Sequence, residues 1–150
     1  MIREVEETDV PSVIALVRGV LAEFGLELGV GAETDKQLFE LPRSYAANGG
    51  RFWVADEGGI VGTCGVFPVA DGDLELRKMY LDPDTRGRGV GKALLERAVA
   101  FARAEGARRL VLDTVEEMRA AIRFYEANGF VRDDEQRRGS RCTRGYCRVL

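Results

Sequence analysis

The spacing of apolar residues changes along the chain, and each change marks an element. Val13, Ile14, Leu16, Val17, Val20, Leu21 and Phe24 recur at intervals of three and four, the period of one helix face. Thr8 or Asp9 is placed to cap this helix, and Pro11 falls in its first turn. Residues 2–5 ahead of it read as a short strand. A weaker helical pattern covers about 33–48, interrupted by Pro42 and closed by Asn48-Gly49-Gly50. The glycine-rich link from Gly25 to Gly31 reads as mobile.

From residue 52 the pattern becomes that of strands. Phe52–Ala55, Ile60–Val69 and Leu74–Leu81 are separated by the turn signals Asp56-Glu57-Gly58-Gly59 and Asp71-Gly72, which predicts an antiparallel meander. Val90–Glu105 then carries a broad amphipathic stripe closed by Gly106, and Leu110–Leu112 is the short apolar run of a buried strand. Met118, Ala121, Ile122 and Tyr125 return to helical spacing before the stop at Asn128-Gly129, and 142–150 read as a final strand. This order predicts one α/β domain on a mixed sheet, with a right-handed β-α-β unit across 74–115.

Composition narrows the chemistry. The 150 residues suit a single domain, and 45% apolar with 31% charged residues is the balance of a globular chain. A net charge of −3 argues against a dedicated nucleic-acid binder. Histidine is absent, which removes Ser-His and Cys-His nucleophilic pairs and the usual His-containing zinc sites. Cys64, Cys142 and Cys147 are odd in number and form no CxxC pair, so neither a disulfide framework nor a Cys₄ metal site is expected. The charged start and the lack of a long apolar run predict a cytoplasmic location with no membrane contact.

The most informative stretch runs from Leu81 to Ala93, between a strand and an amphipathic helix. Gly87, Gly89 and Gly91 occupy alternate positions there, with Arg86, Arg88 and Lys92 beside them. Such a turn can aim successive backbone N–H groups into one concavity, and the helix N-terminus adds about half a positive charge. With Arg86, Arg88 and Lys92 this makes an anion cradle suited to a pyrophosphate. A Walker A loop is unsupported, because Ala93 follows Lys92 and the glycine spacing differs, and a dinucleotide fingerprint fits as poorly. The plainer reading is a tight strand-to-helix turn.

The pattern R-x-x-G-x-G, filled by Arg86, Gly89 and Gly91, resembles the acyl-CoA signature of the GNAT superfamily of N-acetyltransferases. The downstream run Phe124-Tyr125-Glu126-Ala127-Asn128-Gly129-Phe130 matches that family too. The resemblance implies a GNAT-like mixed, mostly antiparallel central sheet flanked by helices, with a β-α-β acyl-CoA-binding unit. It implies acetyl transfer from acetyl-CoA to a primary amine, on a small molecule or a peptide, by direct attack in a ternary complex and without a metal. Met79, Tyr80 and Leu81 then match the strand end that pairs with pantetheine. Gly87, Arg88, Gly89, Val90, Gly91 and Lys92 match the pyrophosphate turn. Tyr125 matches the general acid that protonates the departing thiolate; core packing is its plainer role. Many members carry Asn where this chain has Met118, which weakens or replaces one cofactor contact.

Amide formation needs a neutral amine, and without histidine a carboxylate is the natural base. Glu75 is the first candidate. It lies on the strand of Met79 and Leu81, faces away from Leu74 and Leu76, and resembles the glutamate some members use; pairing with Arg77 is its plainer role. Asp113, at the end of the buried run, is the second candidate, and ordered water is the third. Thr114-Val115-Glu116-Glu117 reads as a capping box. Cys64 reads as a small buried hydrophobe, and Phe52 and Trp53 as core. The arginines at 132, 137, 138, 141, 144 and 148 lie among Asp133, Asp134 and Glu135, which reads as a self-paired loop or as recognition of an anion. The acidic stretch 20–45 is compatible with a cationic amine acceptor. The rival readings are a non-catalytic acyl-CoA sensor and a cofactor-free interaction domain, with a homodimer left open.

Overall fold

The computed structural model describes residues 1–150. The sequence alternation is visible in its layers. Strands β1 (Ile2–Glu4), β2 (Arg51–Asp56), β3 (Ile60–Pro68), β4 (Leu74–Leu81), β5 (Arg109–Thr114), β6 (Val131–Arg132) and β7 (Arg144–Val149) form one sheet in the order β1-β2-β3-β4-β5-β7-β6. Only β4 and β5 run parallel; the helix α3 (Val90–Ala104) connects them. The mixed, mostly antiparallel architecture agrees with the expected one.

Along β2, Phe52 and Val54 face one way and Trp53 and Ala55 the other, as a strand period of two requires. The first pair joins a core with Val13, Val17 and Leu21 of helix α1 (Val10–Ala22). The second packs with Leu94, Leu95 and Ala98 of α3 and with Ile122 of helix α4 (Arg119–Ala127). The sheet is therefore buried on both faces, and each fully buried Leu or Val in it contributes about 1.5–3 kcal/mol.

The local predictions fail where tertiary contacts take over. The helix expected over 33–48 is a 3-10 segment, Glu33–Glu40, followed by the short α2 (Arg43–Ala46), with a cis Leu41-Pro42 bond between them. Asp9 does not cap α1. Its carboxylate accepts the Glu6 N–H and two Arg3 hydrogen bonds, capping a 3-10 turn at Glu7–Asp9 instead. Thr114 is the last residue of β5 rather than a helix cap, and the hydroxyl that accepts the Glu116 N–H belongs to Thr143. The glycine-rich link is tied down: Gly29 N–H donates to Asp35 and Gly31 accepts from the Arg141 N–H. The two-residue β6 was too short to carry a periodic signal.

One irregularity shapes the molecule. Thr63 pairs with Tyr80 but Gly65 pairs with Arg77, so Lys78 and Met79 together oppose Cys64 in a β-bulge. Lys78 adopts φ +54°, unusual for a residue with a side chain. The Thr63 hydroxyl donates to the Lys78 carbonyl at 2.7 Å, which fixes the distortion. On the other edge, β4 pairs with β5 only through Leu74–Leu110 and Glu75–Val111. Beyond Glu75 the two strands separate, and a gap opens in the middle of the sheet.

Candidate active site

The gap is lined by two cavities that share Met79, Tyr80, Met118, Ala121 and Tyr125. The smaller, about 230 Å³, runs past Phe24, Leu81 and Phe124 to Gly87 and Gly91, and its walls are mostly apolar. The larger, about 380 Å³, lies on the other side of Tyr125 and holds Glu75, Asp113 and a group of cations. An apolar channel that ends on a polar chamber can hold a long thin ligand by its shaft and present its tip to a second molecule.

At the outer end of the channel the glycines behave as the sequence predicts. Gly87 and Gly89 adopt φ +78° and +84°, a region that costs a side-chain-bearing residue about 1 kcal/mol or more. A 3-10 turn at Pro83–Thr85, capped by Asp82, leads into them, and α3 begins at Val90. The first helical N–H bonded within the chain is that of Ala93, to Gly89. The N–H groups of Gly87, Arg88, Gly89, Val90, Gly91 and Lys92 donate to no group of the protein. A Cβ on Gly87 or Gly89 would meet open space, so these residues are needed for backbone direction and not for clearance. The side chains contribute less charge than expected. Arg86 holds Glu23 through two bonds at 2.7 and 2.9 Å, and Arg88 pairs with Glu57 at 2.7 Å. Lys92 is exposed and forms no ion pair. The concavity is therefore built chiefly from backbone donors.

Tyr125 stands at the junction of the two cavities. It is buried, with Phe124 and Phe130 edge-on at 5.8 and 5.7 Å. Burial pushes its phenol well above the ordinary tyrosine value, so it holds its proton at neutral pH. Met118 precedes α4 with a non-helical backbone and lines both cavities, giving packing where Asn would give a hydrogen bond. Cys64 is fully buried and burial raises its thiol far above neutral pH, which agrees with a packing role.

Glu75 and Asp113 both reach the larger cavity but differ in engagement. Glu75 is only 4% exposed, although on a strand edge it would read as solvated. Arg77 Nε donates to one of its oxygens at 2.5 Å and Arg138 Nη1 to the other at 3.4 Å. Asp113 has one oxygen committed to the backbone N–H groups of Arg138 and Gly139, at 2.6 and 2.8 Å, so it anchors the loop that covers the cavity. Next to it, burial and then Asp113 push the Cys142 thiol up to about 12, which keeps it un-ionised.

One cluster escaped the sequence reading. Asp35, fully buried, binds Lys78 Nζ of the bulge and Arg141 Nη1, the latter at 3.2 Å. Burial works to raise the Asp35 carboxyl, but Lys78, the Gly29 N–H and Arg141 outweigh it and hold the group below its usual value. Burial lowers the Lys78 ammonium, opposed by Asp35. The cluster ties the 3-10 segment, the bulge and the covering loop together. The available signal was Lys78, a charge at the position where the alternation of Leu74 and Leu76 calls for an apolar residue.

The acetyltransferase (GNAT) domain model matches residues 48–132, which contain the bulged strand, the glycine turn and Tyr125. The chain belongs to the GNAT acetyltransferase family. An uncharacterized N-acetyltransferase of Escherichia coli (strain K12), YjgM, is 36% identical over 135 residues, covering 87% of this chain and 81% of that protein. N-acetyltransferase 8 of Rattus norvegicus is 36% identical over 105 residues, and there this acetyltransferase spans only 47% of the relative's length. Among solved structures, a GNAT acetyltransferase from Staphylococcus aureus Mu50 shares the fold with a TM-score of 0.91 at 24% identity, over 100% of this chain and 98% of that one. The PaiA N-acetyltransferase of Thermoplasma acidophilum, solved with coenzyme A, does so with a TM-score of 0.79 at 21% identity, over 100% and 98%. Membership makes the chain a transferase.

Proposed function

We propose that this acetyltransferase takes its acetyl group from acetyl-CoA and passes it to a primary amine by direct attack within a ternary complex. The observation that carries the reading is the run of six unpartnered N–H groups, Gly87 to Lys92, at the mouth of an apolar channel that ends on a buried tyrosine. A pyrophosphate satisfies such donors, and the edge of β4 that leaves β5 beyond Glu75 suits the amides of a pantetheine arm, with the Leu81 carbonyl at its end held by Arg86 at 3.0 Å. The cosubstrate supplies an activated thioester, and everything else is done by the chain.

Backbone N–H groups along the opened edge of β4 stabilise the oxyanion that develops on the thioester carbonyl. Tyr125, protonated because it is buried, donates to the departing thiolate. Glu75 receives the proton of the acceptor ammonium. Its Arg77 contact is short and its Arg138 contact long, so the oxygen facing Arg138 is the one that yields. Asp113 serves the same chamber by holding the loop in place.

Titration calorimetry with acetyl-CoA tests the reading, followed by thiol release with a panel of amines. Micromolar binding and amine-dependent coenzyme A release are expected. Tyr125→Phe lowers kcat at least tenfold with little change in acetyl-CoA affinity, the scale of a lost general acid. An unbound cosubstrate in a folded sample refutes the proposal, and an unchanged kcat in the variant removes Tyr125 from it.

A further inference from the structure

We propose that the acceptor carries a carboxylate close to its amine and that Arg138 binds that carboxylate; this rests on the acetyl-transfer reading above. The larger cavity is lined by four cations, Arg77, Lys78, Arg138 and Arg141. Three carboxylates stand at or behind its wall, Asp35, Glu75 and Asp113. The rim glutamate Glu33 is solvent-exposed and pairs with Lys36. An acceptor bringing only an ammonium would add a positive charge to a chamber that already has one in surplus. An amino acid brings the missing negative charge with it.

Three of the cations are committed. Lys78 and Arg141 share Asp35, while Arg77 holds Glu75 and lies over the Phe67 ring at 4.3 Å. Arg138 differs. Its Nη1 donates to the Gln136 carbonyl at 3.0 Å and, loosely, to Glu75 at 3.4 Å; its Nη2 makes one bond, to Gln136 Oε1 at 3.1 Å. Nε has no partner and Nη2, which carries two hydrogens, makes one bond, so the Nε–Nη2 edge of the planar group has donors to spare. That edge is a two-pronged donor, the geometry that matches a carboxylate. The side chain is about one-third exposed, at 35%, and its backbone N–H is fixed on Asp113 at 2.6 Å, so the fork is both reachable and anchored. The acceptor's amine would then share the chamber with Glu75 and Tyr125.

The test uses matched triplets: phenylalanine, phenylalaninamide and phenethylamine; leucine, leucinamide and isopentylamine; serine, serinamide and ethanolamine. Each is titrated calorimetrically into the protein saturated with coenzyme A. In at least one triplet the amino acid binds roughly ten- to hundredfold more tightly than its carboxamide, the worth of a charge-assisted bond. Arg138→Gln abolishes that ratio and Arg138→Lys restores only part of it. Taking the ratio within each variant cancels any shift of Glu75 after the loss of its partner. Equal binding of acid and amide, a ratio unchanged by R138Q, or no binding by any triplet overturns the inference. A separate acetyl-CoA titration of the same samples checks the site and distinguishes the two failures. If acetyl-CoA binds, only the carboxylate assignment falls; if it does not, the acetyl-transfer reading falls first.

Discussion

Replacing Asp35 with Asn changes one charge and almost no volume, so it isolates the electrostatics of the buried cluster. Asp35 is fully buried and receives Lys78, Arg141 and the Gly29 N–H. An Asn oxygen still accepts from Gly29, but Lys78, itself only 8% exposed, is left with no negative partner and a guanidinium nearby. Leaving a buried ion unpaired costs about 3–5 kcal/mol. For a chain of this size that lowers Tm by roughly 6–20 °C. Lys78→Met costs less, about 1–3 kcal/mol, because Asp35 retains Arg141 and the Gly29 N–H. The double variant D35N/K78M is expected to lie between the two single variants, since the second change removes the ammonium that the first left unpaired while Arg141 still lacks its carboxylate. Urea unfolding followed by the fluorescence of the buried Trp53 reads all three. The D35N deficit also shrinks as pH rises toward the ordinary lysine value of about 10: burial lowers the Lys78 ammonium, so the native state loses that proton before the unfolded chain does and stability climbs. A D35N loss below about 1 kcal/mol, or a K78M loss as large as that of D35N, would refute the reasoning.

Two further outcomes are expected. Gly89→Val, at φ +84° with open space around its Cβ, reduces acetyl-CoA affinity at least tenfold by turning the backbone donors away, a loss larger than Gly89→Ala produces, both measured by calorimetry in samples with native circular dichroism. In acid, hydrogen bonds from Arg3 hold the Asp9 and Asp56 carboxyls below their ordinary value, so their contribution is present above about pH 4 and is lost as pH falls through the lower folded values. A plot of Tm against pH therefore drops below about 4, and Arg3→Gln flattens it; an equal slope in both proteins would place the acid sensitivity elsewhere.

Elements with a local cause were legible in the sequence. The meander, α3 and the glycine turn each carry their own periodicity or punctuation within a few residues. The helical period placed Tyr125 inward as a packing residue, and its candidate role came from the resemblance of the run Phe124–Phe130 to the GNAT family. Contacts that depend on distant partners were not legible. Lys78 meets Asp35 across 43 residues, and Glu75 meets Arg138 across 63. Neither spacing has a period. The 3-10 segment at Glu33–Glu40 looked like a helix because its polar spacing is similar, while in the structure its Asp35 is tied to Lys78 of the bulge. The acidity of residues 20–45 pointed to a cationic acceptor, yet its most buried carboxylate, Asp35, is already matched by cations of the chain.

The loop that covers the larger cavity is fastened on both sides, by Asp113 to its Arg138 and Gly139 N–H groups and by Gly31 to the Arg141 N–H. Residues near the two ends of the chain thus form one wall that neither end can reshape alone. Shortening the link after α1 or the loop ahead of β7 therefore loosens both at once, while the half that holds the glycine turn keeps its own anchors.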